Sequence, residues 1–319
     1  MQSPPKPVRR FGPLFETSRF KDAKDPCIAF DGAVWHIFGS GGRTDTEEWQ
    51  ILHATAPHSD GPWEEQEPAR LLGMEGPHVA APSVIYDPED KLFHMAVQKD
   101  FMEIGGEIVY LVSADGKTFT KMRALVRPTG QKEAGLYDPQ LCPLRGRKFL
   151  VYSGIPKRAV EGIPIIPQPD IYLAVSMSPR WSGPWRRVGK ILDHDDVDWH
   201  HNRREHPDYE WGLEGPQIAE LPDGRILLSA TCFIEEGPRG TRQRVFFAIG
   251  DRPEGPYRSV GPVLSPGEEP WESGENGHAS VWIEGGLVYL FYQARGKTDP
   301  HPPNNDWRYG IAVFDVKDL

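Results

Sequence analysis

The sequence predicts an all-β protein folded as a five-bladed β-propeller, and three observations carry that expectation. Turn formers are dense, with 33 Gly and 32 Pro among 319 residues, which breaks the chain into short strands. Strand-like runs recur in five units of roughly 60 residues with no helical period, as a radial repeat requires. Four of the five units also open on or beside a polar signature, a repetition for which a two-sheet sandwich gives no reason.

The units open with DPCIAF at 25–30, PSVIY at 82–86, DPQLCPL at 138–144, EGPQIAEL at 214–221 and GHASVWI at 277–283. Each opening strand runs into a tight turn: Asp31-Gly32, Glu89-Asp90, Arg145-Gly146, Asp223-Gly224 and Gly285-Gly286. Second strands follow as VWHIFGS, LFHMAVQ, KFLVYSG, RILLSAT and LVYLFYQ, so each pair reads as a hairpin. Third strands run as ILHATA, EIVYLVSA, DIYLAVS, RVFFAIG and YGIAVF. In three units a Gly-Pro-aromatic turn, at 61–63, 183–185 and 255–257, leads to a fourth. Residues 1–319 are therefore expected to form one catalytic propeller domain, with 1–20 as an extended N-terminal segment. Residues near 10–24 are expected to pack beside the fifth blade and cover its edge.

Composition bounds the function. Hydrophobic residues make up 38% and aromatics 11%, enough for a sizeable core. Lys and Arg number 36 against 46 Asp and Glu, a net charge of −10, and such a surface repels phosphate backbones. No nucleic-acid partner is expected. No run approaches about 18 apolar residues, and the N-terminal stretch lacks a signal-peptide core, so no membrane partner is expected either. The chain as it stands reads as cytoplasmic, or as secreted if a leader has been removed. Cys27, Cys142 and Cys232 are odd in number, widely spaced and set in apolar runs, which reads as three buried thiols.

In a propeller the first strand of each blade lines the central channel, so residues at the starts of these strands converge at the axis. Asp25, Asp138, Glu214 and His278 are those residues. Carboxylates facing one another across a pocket, with a third to tune one of them, are what glycosidic hydrolysis requires. Asp-Pro is also a common turn dipeptide, but Asp87-Pro88 follows its strand, whereas Asp25-Pro26 and Asp138-Pro139 open theirs.

Four stretches taken together carry a resemblance. They are Asp25-Pro26 with DGAVWHIFG at 31–39, Asp138-Pro139 with GRKFLVYSG at 146–154, Glu214-Gly215-Pro216 with DGRILLSAT at 223–231, and GHASVW at 277–282 with YLFYQARG at 289–296. In this order, over about residues 25–319, the chain resembles glycoside hydrolase family 43. The resemblance implies a five-bladed propeller and hydrolysis with inversion. It implies Asp25 as general base, Asp138 as the residue that orients and tunes the acid, and Glu214 as general acid. It also implies that His278 sits beside an axial calcium or sodium ion held largely by water, with no cofactor required for the chemistry itself. Arg295 and Arg308 match the family's later arginines as substrate-binding residues. Gln293 stands where many members have His.

The stretch DHDDVDWHHNRREHPDYEW at 193–211 matches no pattern of that family. It is expected to form a wall of the pocket, with Trp199 or Trp211 offering a face for a sugar ring. His194, His200, His201 and His206 fit no metal-ligand spacing. His201, Arg203 and Arg204 leave open a phosphate pocket, and with it a phosphorylase. A glycosidase acting on pentose- or galactose-type linkages therefore stands beside two alternatives, a glycoside phosphorylase and a non-catalytic carbohydrate-binding propeller. Each takes a carbohydrate partner.

Overall fold

The computed structural model describes residues 4–43, 48–74, 79–100, 106–129, 133–156, 169–197, 212–235, 241–297 and 306–319. Their strands form five small sheets arranged as a five-bladed propeller. After β1 (Arg9–Phe11), blade 1 holds β2 (Phe20–Phe30), β3 (Trp35–Arg43), β4 (Trp49–Ala56) and β5 (Glu64–Glu65). A short β6 (Arg70–Leu72) then adds itself, parallel, to the outer strand of blade 2, which holds β7 (Val79–Asp87), β8 (Leu92–Lys99), β9 (Glu107–Ser113) and β10 (Thr118–Val126). Blade 3 is β11 (Glu133–Leu144), β12 (Arg147–Pro156), β13 (Asp170–Ser176) and β14 (Trp185–Leu192). Blade 4 is β15 (Leu213–Glu220), β16 (Ile226–Glu235), β17 (Thr241–Gly250) and β18 (Arg258–Pro262). Blade 5 takes β19 (Glu275–Glu284), β20 (Leu287–Arg295) and β21 (Arg308–Asp315) from the C-terminal end and β1 from the N-terminal end. Among the described residues no helix is long and apolar enough to cross a membrane.

The alternation of apolar residues along the strands fills the gaps between blades. Five buried clusters result, one per blade interface. Phe38, Met95 and Phe119, for example, close the gap between blades 1 and 2. All three cysteines are buried free thiols.

Every inner strand breaks at the same level. Asp25, Ala81, Asp138, Gly215 and His278 all have positive φ, between 26° and 54°. At each the ladder slips: between Lys24 and Cys27, Ala80 and Ser83, Tyr137 and Gln140, Glu214 and Gln217, and Gly277 and Ala279. Proline follows in four of the five, at a bulge, where a strand tolerates its missing N–H. The strands therefore begin well before the polar signatures that mark them in sequence.

The freed N–H groups are caught by the preceding blade. Ala81 donates to Ser40 Oγ at 2.7 Å, Asp138 to Gln98 Oε1 at 2.8 Å, His278 to Thr231 Oγ1 at 2.6 Å, and Asp25 to Gln293 Oε1 at 2.7 Å. One level on, Ile28, Leu141 and Val281 donate in the same sense to Ser280, Ser83 and Gln217. At that level Val84 N–H donates to the thiol sulfur of Cys27 at 3.1 Å. The burial of Cys27 thus has a specific partner.

Ring closure is narrower than the sequence indicates. The strand pairing with blade 5 is made by Arg9–Phe11 against Ile311–Val313 and is extended by the Leu14 N–H on the Tyr309 carbonyl, whereas residues 20–24 belong to the inner strand of blade 1. Arg10 locks the closure from inside. Its Nη2 meets Glu272 Oε2 at 2.5 Å, its Nε donates to the Tyr292 hydroxyl at 2.8 Å, and that hydroxyl donates to Glu272 at 2.6 Å. Removing Arg10 would leave Glu272 charged and largely buried, a situation that costs several kcal/mol. Arg10→Ala is therefore expected to lower stability by about 3 kcal/mol in a denaturant melt. A loss near zero would show that β1 does not close the ring.

Candidate active site

The five bulges converge on a cavity of about 30 Å³, lined by the bulge residues with the residues that follow them. A left-handed residue in a bulge turns its side chain out of the ladder, so the chain aims Asp25, Asp138 and His278 into this space from blades 1, 3 and 5. Asp tolerates that conformation better than most residues do, while His278 is strained in it. Blade 4 places glycine at the bulge and carries its carboxylate one residue earlier, at Glu214. Its Gly215 is held close to His278, where a β-carbon would come within 2.9 Å of the ring.

His278 is the centre of the arrangement. Its Nδ1 lies 3.0 Å from Asp25 Oδ1 and 3.9 Å from Asp138 Oδ2, and its Nε2 lies 3.3 Å from Glu214 Oε2. The side chains are 9% exposed for His278 and Asp138, 13% for Asp25 and 23% for Glu214, which makes Glu214 the carboxylate nearest solvent. Asp138 also accepts the Gly215 N–H at 3.0 Å and so fixes the backbone beside Glu214.

Burial and charge set these groups apart. Burial alone would lower the pKa of His278, but Asp138 and Asp25, with hydrogen bonds to Asp25 and Glu214, hold it well above the usual histidine range. Burial would raise Asp25, yet the charge and hydrogen bond of His278, helped by Lys24 and Ser40, bring it down to about 2. Asp138 goes the other way. Burial, with Glu214 and Asp25 adding to it, outweighs His278 and the Gly215 N–H and pushes it up to about 7. The sequence places the raised carboxyl at Glu214 with Asp138 as its cause; in the structure the push falls on Asp138.

Asp138, Glu214 and His278 bring ligand atoms within 4.8 Å of one another, a spacing that would suit a cation. The residues do not fit the hydrated axial ion that the resemblance implies. Both ring nitrogens of His278 already face carboxylates. A space of about 30 Å³ admits one or two waters, far short of the six to eight oxygens that calcium gathers.

The other sequence-derived candidates are placed differently. Arg295 is 2% exposed, bonded through Nε to Glu275 at 2.5 Å and lying over Trp307, so no ligand reaches it. Arg308 pairs with Glu16 at 3.0 Å and donates to the Lys21 carbonyl, tying the N-terminal segment to blade 5. Both arginines, expected from sequence to bind substrate, are thus held in ion pairs. Trp199 and Trp211, with His200, His201, Arg203, Arg204 and His206, lie outside the described residues. His194 is buried against Asp170, with Nδ1 at 2.6 Å from its carboxylate.

Sequence reasoning missed Ser40, Gln98, Thr231 and Gln293, which hold the bulges. The signal was present: these are the terminal polar residues of the second strands VWHIFGS, LFHMAVQ, RILLSAT and LVYLFYQ. Gln293 also donates to Gln243 at 3.2 Å, so its amide serves both a bulge and a neighbouring blade.

No family model and no curated protein matches the sequence. The structure does match solved ones. An endo-arabinase from Bacteroides thetaiotaomicron superposes with a TM-score of 0.68 at 16% identity, covering 98% of this chain and 97% of that one. A thermostable family-43 glycoside hydrolase gives 0.64 at 15%, covering 98% and 92%. An α-L-arabinofuranosidase from Podospora anserina, in complex with cellotriose, gives 0.63 at 15%, covering 98% and 95%. The chain has the fold of these glycosidases. That is the five-bladed propeller which the family resemblance implies.

Because both ring nitrogens of His278 already face carboxylates, chelation should leave the protein unchanged. Dialysis against EDTA and addition of millimolar calcium are each expected to shift the melting temperature by less than about 1 °C. A calcium-dependent rise would show that the axis takes an ion after all.

Proposed function

We propose that the protein is an inverting glycoside hydrolase that releases a pentose- or galactose-type sugar, such as an arabinofuranosyl or xylosyl unit, from a plant-type polysaccharide or oligosaccharide. The observation that carries this reading is the convergence of Asp25, Asp138 and Glu214 on one imidazole, from three different blades. The structural neighbours named as arabinase and arabinofuranosidase support the sugar class.

Each residue then has a role that its surroundings suit. Asp25, held at about 2, stays ionised and takes the proton from the attacking water. Glu214, the most exposed of the three, meets the glycosidic oxygen and donates the proton that the leaving group needs. Asp138 stands behind it as a neutral acid: burial, with the charges of Glu214 and Asp25, pushes its carboxyl up to about 7. One imidazole ring contacts both Asp25 and Glu214, at 3.0 and 3.3 Å, and inversion requires these two carboxyls to stand roughly 6.5–9.5 Å apart across the bound sugar.

Hydrolysis of nitrophenyl α-L-arabinofuranoside, β-D-xyloside and β-D-galactoside, with the released anomer followed by NMR and with phosphate present or absent, tests the reading. First-formed product of inverted configuration is expected, without phosphate dependence. Retention, or turnover only with phosphate, overturns it. Glu214→Gln should slow natural substrates by roughly a hundredfold to ten-thousandfold and spare nitrophenyl glycosides, whose leaving groups need little protonation. Asp25→Asn should slow both kinds.

The pH profile provides a further check. Asp138 is protonated below about pH 7 and ionises above it, adding a negative charge beside the reacting groups, so kcat/KM should fall as pH rises through about 7. Asp25 protonates only near pH 2, so no fall on the acid side is expected down to about pH 4. Asp138→Asn should displace the alkaline limb while retaining an oxygen that accepts the Gly215 N–H.

A further inference from the structure

A cleft of about 830 Å³ opens between blades 1 and 2, outside the axial site. Arg19, Trp49, Gln50, Glu67, Arg70 and Met74 are among the residues that line it. Trp49 is half-buried and stands across the strand pair from Gly42, so its indole lies beside bare backbone: a β-carbon at Gly42 would meet the ring at 3.5 Å. The amino group of Lys24 is 5.7 Å from the ring centre of Trp49 and 5.7 Å from that of Trp307. Lys24 immediately precedes Asp25 in β2, and its carbonyl is fixed by the Tyr309 hydroxyl at 2.7 Å. The cleft and the axial site are therefore joined through one residue.

Charge in this region runs against that of the molecule as a whole. The chain carries −10, yet among the described residues that line the cleft Arg19 and Arg70 stand against the one carboxylate of Glu67, and Lys24 lies over the Trp49 ring. Arg19 satisfies Glu67 through two bonds of 2.9 and 2.6 Å. Lys24 acts through its charge on Asp25 and Asp22, whereas Arg70 is an exposed cation on the cleft wall. Asp22, the next acid along β2, is fully buried. Arg70 on the cleft wall and Lys24 over the half-buried indole of Trp49 are the means of holding a sugar chain that bears negative charge. The indole takes the apolar face of a ring, and the cations take carboxylates.

We propose that the cleft between blades 1 and 2 binds the acidic, uronate-bearing part of a glycan whose terminal sugar is cleaved at Asp25 and Glu214. The inference rests on the hydrolase reading for the cleavage step and on the cleft alone for the binding. Trp49 stacks on one ring of the retained chain, while Lys24 and Arg70 recognise its carboxylates. The substrate is then a neutral terminal sugar on an acidic backbone, and affinity for it falls with salt as screened charge pairs do.

Calorimetric titration of the intact protein with trigalacturonate and, separately, with neutral xylotriose tests this. Trigalacturonate is expected to bind about tenfold tighter at low salt, with the advantage shrinking in about 0.5 M salt. Lys24→Met and Arg70→Gln should each weaken trigalacturonate severalfold and leave xylotriose unchanged. Trp49→Ala should weaken both, and Trp49→Phe, which keeps an aromatic face and a matched melting temperature, should restore most of the loss. Equal affinity for the two sugars, or no response to the three cleft substitutions, overturns the proposal. Nitrophenyl arabinofuranoside hydrolysis reports the cleavage site separately. Turnover without trigalacturonate binding sinks the cleft alone, and binding without turnover on any nitrophenyl glycoside sinks the hydrolase reading alone.

Discussion

The structure depends on one repeated hydrogen bond, from a left-handed bulge in each inner strand to the blade before it. A bulge is the means by which a strand can turn a side chain out of its ladder towards the axis. Its cost is a main-chain N–H with no ladder partner in a buried place, which is worth a few kcal/mol if left unmet. Ser40, Gln98, Thr231 and Gln293 meet it. Because each acceptor belongs to the neighbouring blade, the bond that permits the bulge also fixes the angle between blades. Fold and site geometry are set together.

The charge at the axis follows from the same enclosure. Three carboxylates gathered around one buried imidazole could not all be ionised cheaply on their own. His278 offsets them as an imidazolium, one nitrogen towards Asp25 and one towards Glu214. The compensation is uneven, and the unevenness separates the roles. Asp25 has the short contact at 3.0 Å and is lowered; Asp138, at 3.9 Å and beside Glu214, is raised. One ring placed off-centre among three acids thus lowers one carboxyl while burial leaves another raised.

Much of this was legible in the sequence. The five units, their turns and the converging Asp25, Asp138, Glu214 and His278 could be read because hairpin turns and polar residues at strand starts leave local marks. What was not legible depended on contacts between blades. Arg295 and Arg308 look like binding residues in a list of side chains, but burial against Glu275 and pairing with Glu16 are properties of the closed ring. That burial pushes Asp138 up was not legible for the same reason, since the difference between 3.0 and 3.9 Å from one imidazole has no trace in a single strand. The true starts of the inner strands were hidden by the bulges, which interrupt the period that marks a strand.

The departures from fivefold regularity fall at the chemistry. In blade 2 the bulge residue is Ala81, whose methyl leaves the space between Asp25 and Asp138 open where the other blades place larger groups or a carboxylate beside the bulge. In blade 3 the second strand offers Ser153 at the position held by Ser40, Gln98, Thr231 and Gln293 elsewhere, yet the Gly215 N–H bonds to Asp138 instead. The Ser153 hydroxyl is left buried without a partner among the described residues. A bond that is structural in four blades is therefore carried in the remaining one by an acid of the site. Either protonation state of Asp138 can accept it, because a carboxyl keeps a lone pair for the N–H whether or not it carries a proton. The ring can thus hold its geometry while Asp138 gains and loses charge, a property that serine or glutamine at the same point would have no occasion to supply.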